Sequence, residues 1–271
     1  KEAAADNKAA AFGATYEESE LGGIPVVKVT PSKLASTDKI AVYTHGGAYV
    51  LNSPMAVIEA AMFFAAETGL RVIAVEYTLA PHSKWQETTD EVISVFNALA
   101  KQGFTADDIV LYGDSAGGGL AAGVTLKMRD LGMEMPAVLV LWSPWADISE
   151  TGDTYATLRD AEPYYTYEHV LGPSALAYAD VEDHKNPYVS PVYGDFKQGF
   201  PPTLIQGGTK ELFLSNFVRL YQALDQAGQK VKLDIYEGMP HVFVPSLPET
   251  AESQAAIAKV RDWVSEHLLD D

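Results

Sequence analysis

Ile109-Val110-Leu111-Tyr112-Gly113-Asp114-Ser115-Ala116-Gly117-Gly118 joins a short apolar run to a glycine-rich turn. Its first four residues have the β-branched and aromatic content of a buried strand, and a helical pattern over about residues 116–129 follows the turn. A serine caught in a G-x-S-x-G turn between a strand and a helix sits on a sharp bend that lifts its hydroxyl above the sheet. Gly113 and Gly117 lack the β-carbons that would clash there. The helix that starts at the serine directs its amides and dipole toward any negative charge forming beside it.

Outward from this turn, β-branched runs alternate with helical runs. Strands are expected at 40–44, 71–76, 109–112, 137–141, 203–206 and 231–236. Helices are expected at 54–68, 87–102, 116–129, 213–227 and 248–269; Val92, Val95, Phe96 and Leu99 form one apolar stripe on the second of these. Such βαβ alternation predicts an α/β fold, a mostly parallel sheet with helices on both faces. Residues 147–194 break the rhythm: they hold short helical pieces and many tyrosines but no clean strand. An insertion of this length after a strand's carboxyl end reads as a cap over a site.

Three further stretches carry chemistry. His45-Gly46-Gly47-Ala48-Tyr49 ends the 40–44 strand, and its glycines allow backbone N–H groups to turn toward an oxygen that becomes negative during acyl transfer. His45 itself reads as a hydrogen bonder that fixes this loop. The expected general base is His241, in the loop after the 231–236 strand, with His82, His169, His184 and His267 poorly placed by comparison. An acid between serine and histidine in the chain would fix the imidazole tautomer. Glu211, in the turn after the 203–206 strand, is favoured; Asp147, at the end of the preceding strand, is the competitor and could equally cap the insertion. Trp85, Trp145 and Tyr49 are candidate walls of an apolar substrate pocket.

Composition narrows the classes. The chain has 271 residues, enough for one large α/β domain, and 47% hydrophobic content lets it bury a core. A formal charge of −18 disfavours nucleic acid and anionic membrane surfaces. With no cysteine there are no disulfides, thiolate metal sites or cysteine nucleophiles. Histidine and carboxylate spacings offer no metal site, and Gly117-Gly118-Gly119 lacks dinucleotide-binding spacing, so no cofactor is expected. No apolar run approaches the roughly 20 residues of a membrane span, and residues 1–11 lack a signal-peptide core, which gives a cytoplasmic expectation for a chain that begins with Lys1.

From about Ile24 onward the chain resembles the hormone-sensitive-lipase-like branch of the α/β-hydrolases, the microbial esterase group. The resemblance rests on His45-Gly46-Gly47-Ala48-Tyr49, Tyr77-Thr78-Leu79-Ala80-Pro81, Gly113-Asp114-Ser115-Ala116-Gly117-Gly118, Asn186-Pro187-Tyr188-Val189-Ser190-Pro191, Gly208-Thr209-Lys210-Glu211 and Gly238-Met239-Pro240-His241-Val242-Phe243. It implies an α/β-hydrolase fold with a helical cap, in a single domain of residues 1–271 with cap elements at 1–20 and 147–194. It also implies Ser115, Glu211 and His241 as a triad, and the amides of Gly47, Ala48 and Ala116 as an oxyanion hole supported by Gly46. The implied activity is hydrolysis of short- to medium-chain neutral esters, with lactones presenting the same carbonyl, through an acyl-serine; the resemblance extends to homodimers. The chain departs from the pattern where Ala48 replaces a third glycine, where Thr78 and His82 replace the usual arginine and glutamate, and in a short N-terminal cap. The alternatives are an amide or peptide hydrolase, and a ligand receptor without catalysis. Retention of His241 argues against the receptor, and the lack of a large additional domain argues against peptides.

Overall fold

The computed structural model describes residues 2–269. Lys1, Asp270 and Asp271, part of the expected domain, lie outside the described residues. In chain order the strands are β1 (Ala14–Leu21), β2 (Ile24–Pro31), β3 (Ile40–Thr44), β4 (Arg71–Val75), β5 (Ile109–Asp114), β6 (Val138–Trp142), β7 (Thr203–Gly208) and β8 (Val231–Tyr236). They form one sheet in the order β1-β2-β4-β3-β5-β6-β7-β8. β1 pairs antiparallel with β2 and β2 with β4, and every later pairing is parallel.

The inner parallel strands were recognisable because they are covered on both faces and therefore mainly apolar, whereas β8, at the sheet edge, is only partly buried. All residues of β3, β5, β6 and β7 are buried. Alternate residues feed two cores. Ile109 and Leu111 join one with Val92, Phe96, Leu120 and Leu220. Val110 and Tyr112 join the other with Phe63, Phe64, Ile257 and Val260. Helices α3 (Trp85–Lys101), α4 (Ala116–Asp130) and α7 (Leu214–Gln226) thus cover one face. Helices α1 (Glu2–Phe12), α2 (Ile58–Thr68), α8 (Phe243–Ser246) and α9 (Ala251–Val264) cover the other.

Residues 147–194 hold α5 (Thr154–Thr157), α6 (Gly172–Tyr178) and short turns, and no strand among the described residues. Within the expected cap element at residues 1–20, residues 14–20 need correction. Residues 14–20 lie in β1, the antiparallel edge of the sheet, and among the described residues α1 precedes them. Two helices start later than expected: residues 54–57 form a turn before α2, and α9 begins after Thr250, whose hydroxyl accepts the Ser253 N–H at 3.2 Å.

Strand order locates the site. β3 lies between β4 and β5, so the chain leaves it in one direction and returns on the other side. In an open parallel sheet, the crevice beyond the carboxyl ends at such a reversal is where ligands bind. Here it lies between His45, after β3, and Ser115, after β5.

Candidate active site

Ser115 stands at the end of β5 with φ 53° and ψ −124°, a conformation that a non-glycine residue adopts at a cost of about 1–3 kcal/mol. Its surroundings hold it there. The Ser115 N–H donates to Trp142 O at 2.9 Å, and its carbonyl accepts from Gly119 at 3.2 Å and Trp145 at 2.8 Å. A β-carbon on Gly117 would come within 2.0 Å of Thr44 O, so only glycine lets α4 pass this close to β3. Asp114 ties the turn to the neighbouring loop, its carboxylate accepting from Tyr43 Oη at 2.5 Å and from the Gly46 N–H at 3.1 Å. Burial raises the Asp114 pKa, and those two hydrogen bonds oppose the rise.

His241 follows β8 and is 5% exposed, while Glu211 follows β7 and is fully buried. Glu211 Oε2 lies 2.7 Å from His241 Nδ1. A carboxylate can only accept, so Nδ1 carries the proton and Nε2 presents a lone pair. Nε2 has no hydrogen-bond partner among the described residues. The other oxygen, Glu211 Oε1, accepts the Gly208 N–H at 2.5 Å and Ser143 Oγ at 2.9 Å. Ser143 also accepts the Val242 N–H at 3.0 Å, so one hydroxyl clamps both the acid and the histidine loop. Sequence reasoning missed Ser143, although its place at the end of β6, in the same row as Ser115 and Glu211, was a usable signal.

Asp147 is engaged elsewhere. Its carboxylate accepts from Arg219 at 2.7 Å, Tyr193 at 2.9 Å and Ser149, and it does not contact His241. It braces the start of the cap against α7.

In the loop after β3, Gly47, Ala48 and Tyr49 all have positive φ, at 126°, 52° and 65°. The Gly46 N–H is used by Asp114, whereas the Gly47 and Ala48 N–H groups donate to no described residue. Ala116, first residue of α4, has an N–H with no acceptor inside its helix. His45 is 1% exposed, stacked on Tyr77 at 4.3 Å, and its Nδ1 donates to Gly46 O at 2.8 Å. Burial lowers its pKa to about 4, so it stays neutral and stiffens the loop.

Ser115, His241, Gly46, Gly47 and Ala48 all line one cavity of about 560 Å³, together with Leu51, Val57, Tyr164, Tyr165, Val170 and Leu171. The three aromatic candidates do not. Tyr49 and Trp145 are buried beneath the turn, Tyr49 stacked on Tyr178 at 3.6 Å and Trp145 on Phe213 at 5.7 Å. Trp85 donates its indole N–H to Asp183 at 2.8 Å, and neither residue lines the cavity. Residue type announced burial in each case, and the packing chose the core. The cavity's aromatic lining is Tyr43 together with Tyr164 and Tyr165, two of the tyrosines that made the insertion conspicuous. Among the described residues no cluster of three or more histidines and carboxylates could hold a metal ion, and no helix is long and apolar enough to cross a membrane.

A family model described as alpha/beta hydrolase fold matches residues 41–245. The chain is 30% identical to an esterase of Acinetobacter venetianus, over 91% of this chain and 84% of that protein. It is 34% identical to an acetyl-hydrolase of Streptomyces hygroscopicus, over 76% and 70%. Among solved structures, an esterase superposes with a TM-score of 0.92 at 34% identity, covering 98% of this chain and 82% of that one. An esterase from the bacterial hormone-sensitive lipase family gives 0.88 at 28% identity, covering 94% and 85%.

Proposed function

This chain belongs to the α/β-hydrolase family, in its hormone-sensitive-lipase-like branch, and is a carboxylic-ester hydrolase; from that premise we propose that Ser115, His241 and Glu211 carry the reaction and that small neutral esters are its substrates. The observation that carries the assignment is the 2.7 Å contact of Glu211 with His241 Nδ1, which leaves Nε2 as a base beside the cavity that Ser115 lines.

His241 Nε2 takes the Ser115 proton as the oxygen attacks the ester carbonyl. The Gly47, Ala48 and Ala116 amides then receive the oxyanion, each lacking an acceptor within its own segment. The imidazolium gives its proton to the departing alcohol. Water, deprotonated by the same nitrogen, attacks the acyl-serine and releases the acid. Glu211 keeps its charge throughout and offsets that of the imidazolium.

The test is Ser115→Ala, with turnover of a nitrophenyl acetate expected to fall on the order of 10⁶-fold. Retention of near-normal turnover would remove the serine from the reaction. The cavity volume and the apolar side chains of Leu51, Val57, Val170 and Leu171 support short- to medium-chain acyl groups and compact lactones. In a series of acyl chain lengths, kcat/KM should peak on short chains; a peak on long ones contradicts this substrate class.

A further inference from the structure

The cap delivers a phenol to the triad that the steps above leave unused. Glu162 is 9% exposed, and its carboxylate accepts the Tyr164 N–H at 3.1 Å and the Leu212 N–H at 3.4 Å. Leu212 directly follows Glu211, so the cap segment is fastened to the turn that holds the triad acid. Tyr165, next along, stands edge-on to His241, with ring centroids 5.2 Å apart at 81°. Phe213 makes the matching edge contact, also at 5.2 Å. Tyr165 lines the cavity with Ser115, and its phenol interacts with the Ser115 side chain. Burial raises the phenol's pKa, so the group remains a neutral hydrogen-bond donor over any working pH.

A donor beside both Ser115 and His241 occupies a particular place in the reaction. Once Ser115 has added to the carbonyl, the leaving-group oxygen is bonded to the same carbon as the serine oxygen and points toward His241. We propose that Tyr165 is a catalytic residue of this ester hydrolysis, donating a hydrogen bond to the leaving oxygen as its bond to the acyl carbon breaks. This rests on the assignment of Ser115 and His241 above. The tyrosine keeps its own proton: the proton that ends on the alcohol left Ser115 and was carried by His241, and the electron pair of the broken C–O bond stays on the alcohol oxygen. The help is greatest where that oxygen bears most charge. An alkoxide leaving from an ethyl ester localises its charge, whereas a nitrophenolate spreads it over the ring.

Tyr165→Phe keeps the ring and removes the donor. With acetate esters, so that the acyl-serine is common to all, kcat/KM should fall roughly tenfold or more for ethyl acetate and no more than about threefold for nitrophenyl acetate. A plot of log kcat/KM against leaving-group pKa should therefore steepen. Rates are taken per competent site, counted by titration with a neutral phosphonate, so a partly misfolded preparation does not imitate the effect. Equal losses on both esters, or an unchanged ethyl ester rate, overturns the role of Tyr165. Ester turnover surviving in Ser115→Ala overturns instead the serine reading beneath it, which separates the two failures.

Discussion

Glu211 and Asp147 are both fully buried carboxylates just beyond sheet strands, and spacing alone could not separate them. Their partners do. Glu211 holds the proton-bearing nitrogen of His241, and Asp147 holds Arg219 and Tyr193. Glu211→Gln can present its amide N–H₂ to Nδ1, which forces the proton onto Nε2 and removes the base. Turnover should drop by about 10⁴ while the fold persists. Asp147→Asn leaves the triad intact but breaks a pair whose carboxylate is fully buried and whose arginine is partly exposed. Its cost should appear in unfolding free energy, about 3 kcal/mol, with turnover changed only a few-fold well below the melting temperature. Urea titration and steady-state kinetics on the two variants check both statements, and a larger kinetic loss in Asp147→Asn would move the acid assignment to Asp147.

At the scale of elements, the site is a row of turns beyond neighbouring strands, and its geometry depends on how closely those turns approach. Gly208 is the tightest such point between the acid and the base. A β-carbon there would lie 1.9 Å from Met239 O, in the loop that carries His241. The Lys210 N–H bonds that same carbonyl at 3.2 Å. Gly208→Ala should push the histidine loop off the Glu211 turn, and a misplacement of about an ångström costs on the order of 10² in kcat. Loss of kcat with KM nearly unchanged is the expected pattern; full activity would show that the loops can separate freely. This dependence on approach also explains what the sequence could disclose. β3 to β7 were recognisable because buried parallel strands are apolar runs, and β8, partly exposed at the sheet edge, alternates apolar with charged residues. β1 was not, since Thr15-Tyr16-Glu17-Glu18-Ser19 forms an outer edge with one partner and needs no apolar pattern. Gly22-Gly23 joins it to β2 with positive φ at both residues, the signature of a two-residue hairpin, and that signal went unused. Ser115, Glu211 and His241 were recognisable because a turn motif fixes each to a strand end. The pocket wall was not, because an aromatic residue reports burial without saying which surface buries it.

Over the whole molecule, one buried imidazole couples the site to global stability. Free histidine titrates near 6.5, and His45 in the folded chain near 4, because burial penalises the charge and its Nε2 has no partner among the described residues. The unfolded chain therefore takes up this proton first. The His45 contribution is complete above pH 6.5, is lost as pH falls from there toward 4, and changes no further below that. Over the window the loss is about 3 kcal/mol, with a slope near 1.4 kcal/mol per pH unit. Burial acts oppositely on Asp114 and Glu162, whose raised pKa values make the folded chain take up their protons first. A formal charge of −18 adds self-repulsion that acid relieves, so the pH profile of one protein mixes several signs. His45→Asn isolates the term: an asparagine amide can replace the Nδ1 donor to Gly46 O without titrating. Unfolding free energies of both proteins at pH 7 and pH 4.5 should show the parent losing about 2–3 kcal/mol more than the variant. Parallel losses would mean that His45 accepts a proton in the folded state as readily as in the unfolded one, and that the loop beneath the oxyanion site admits water.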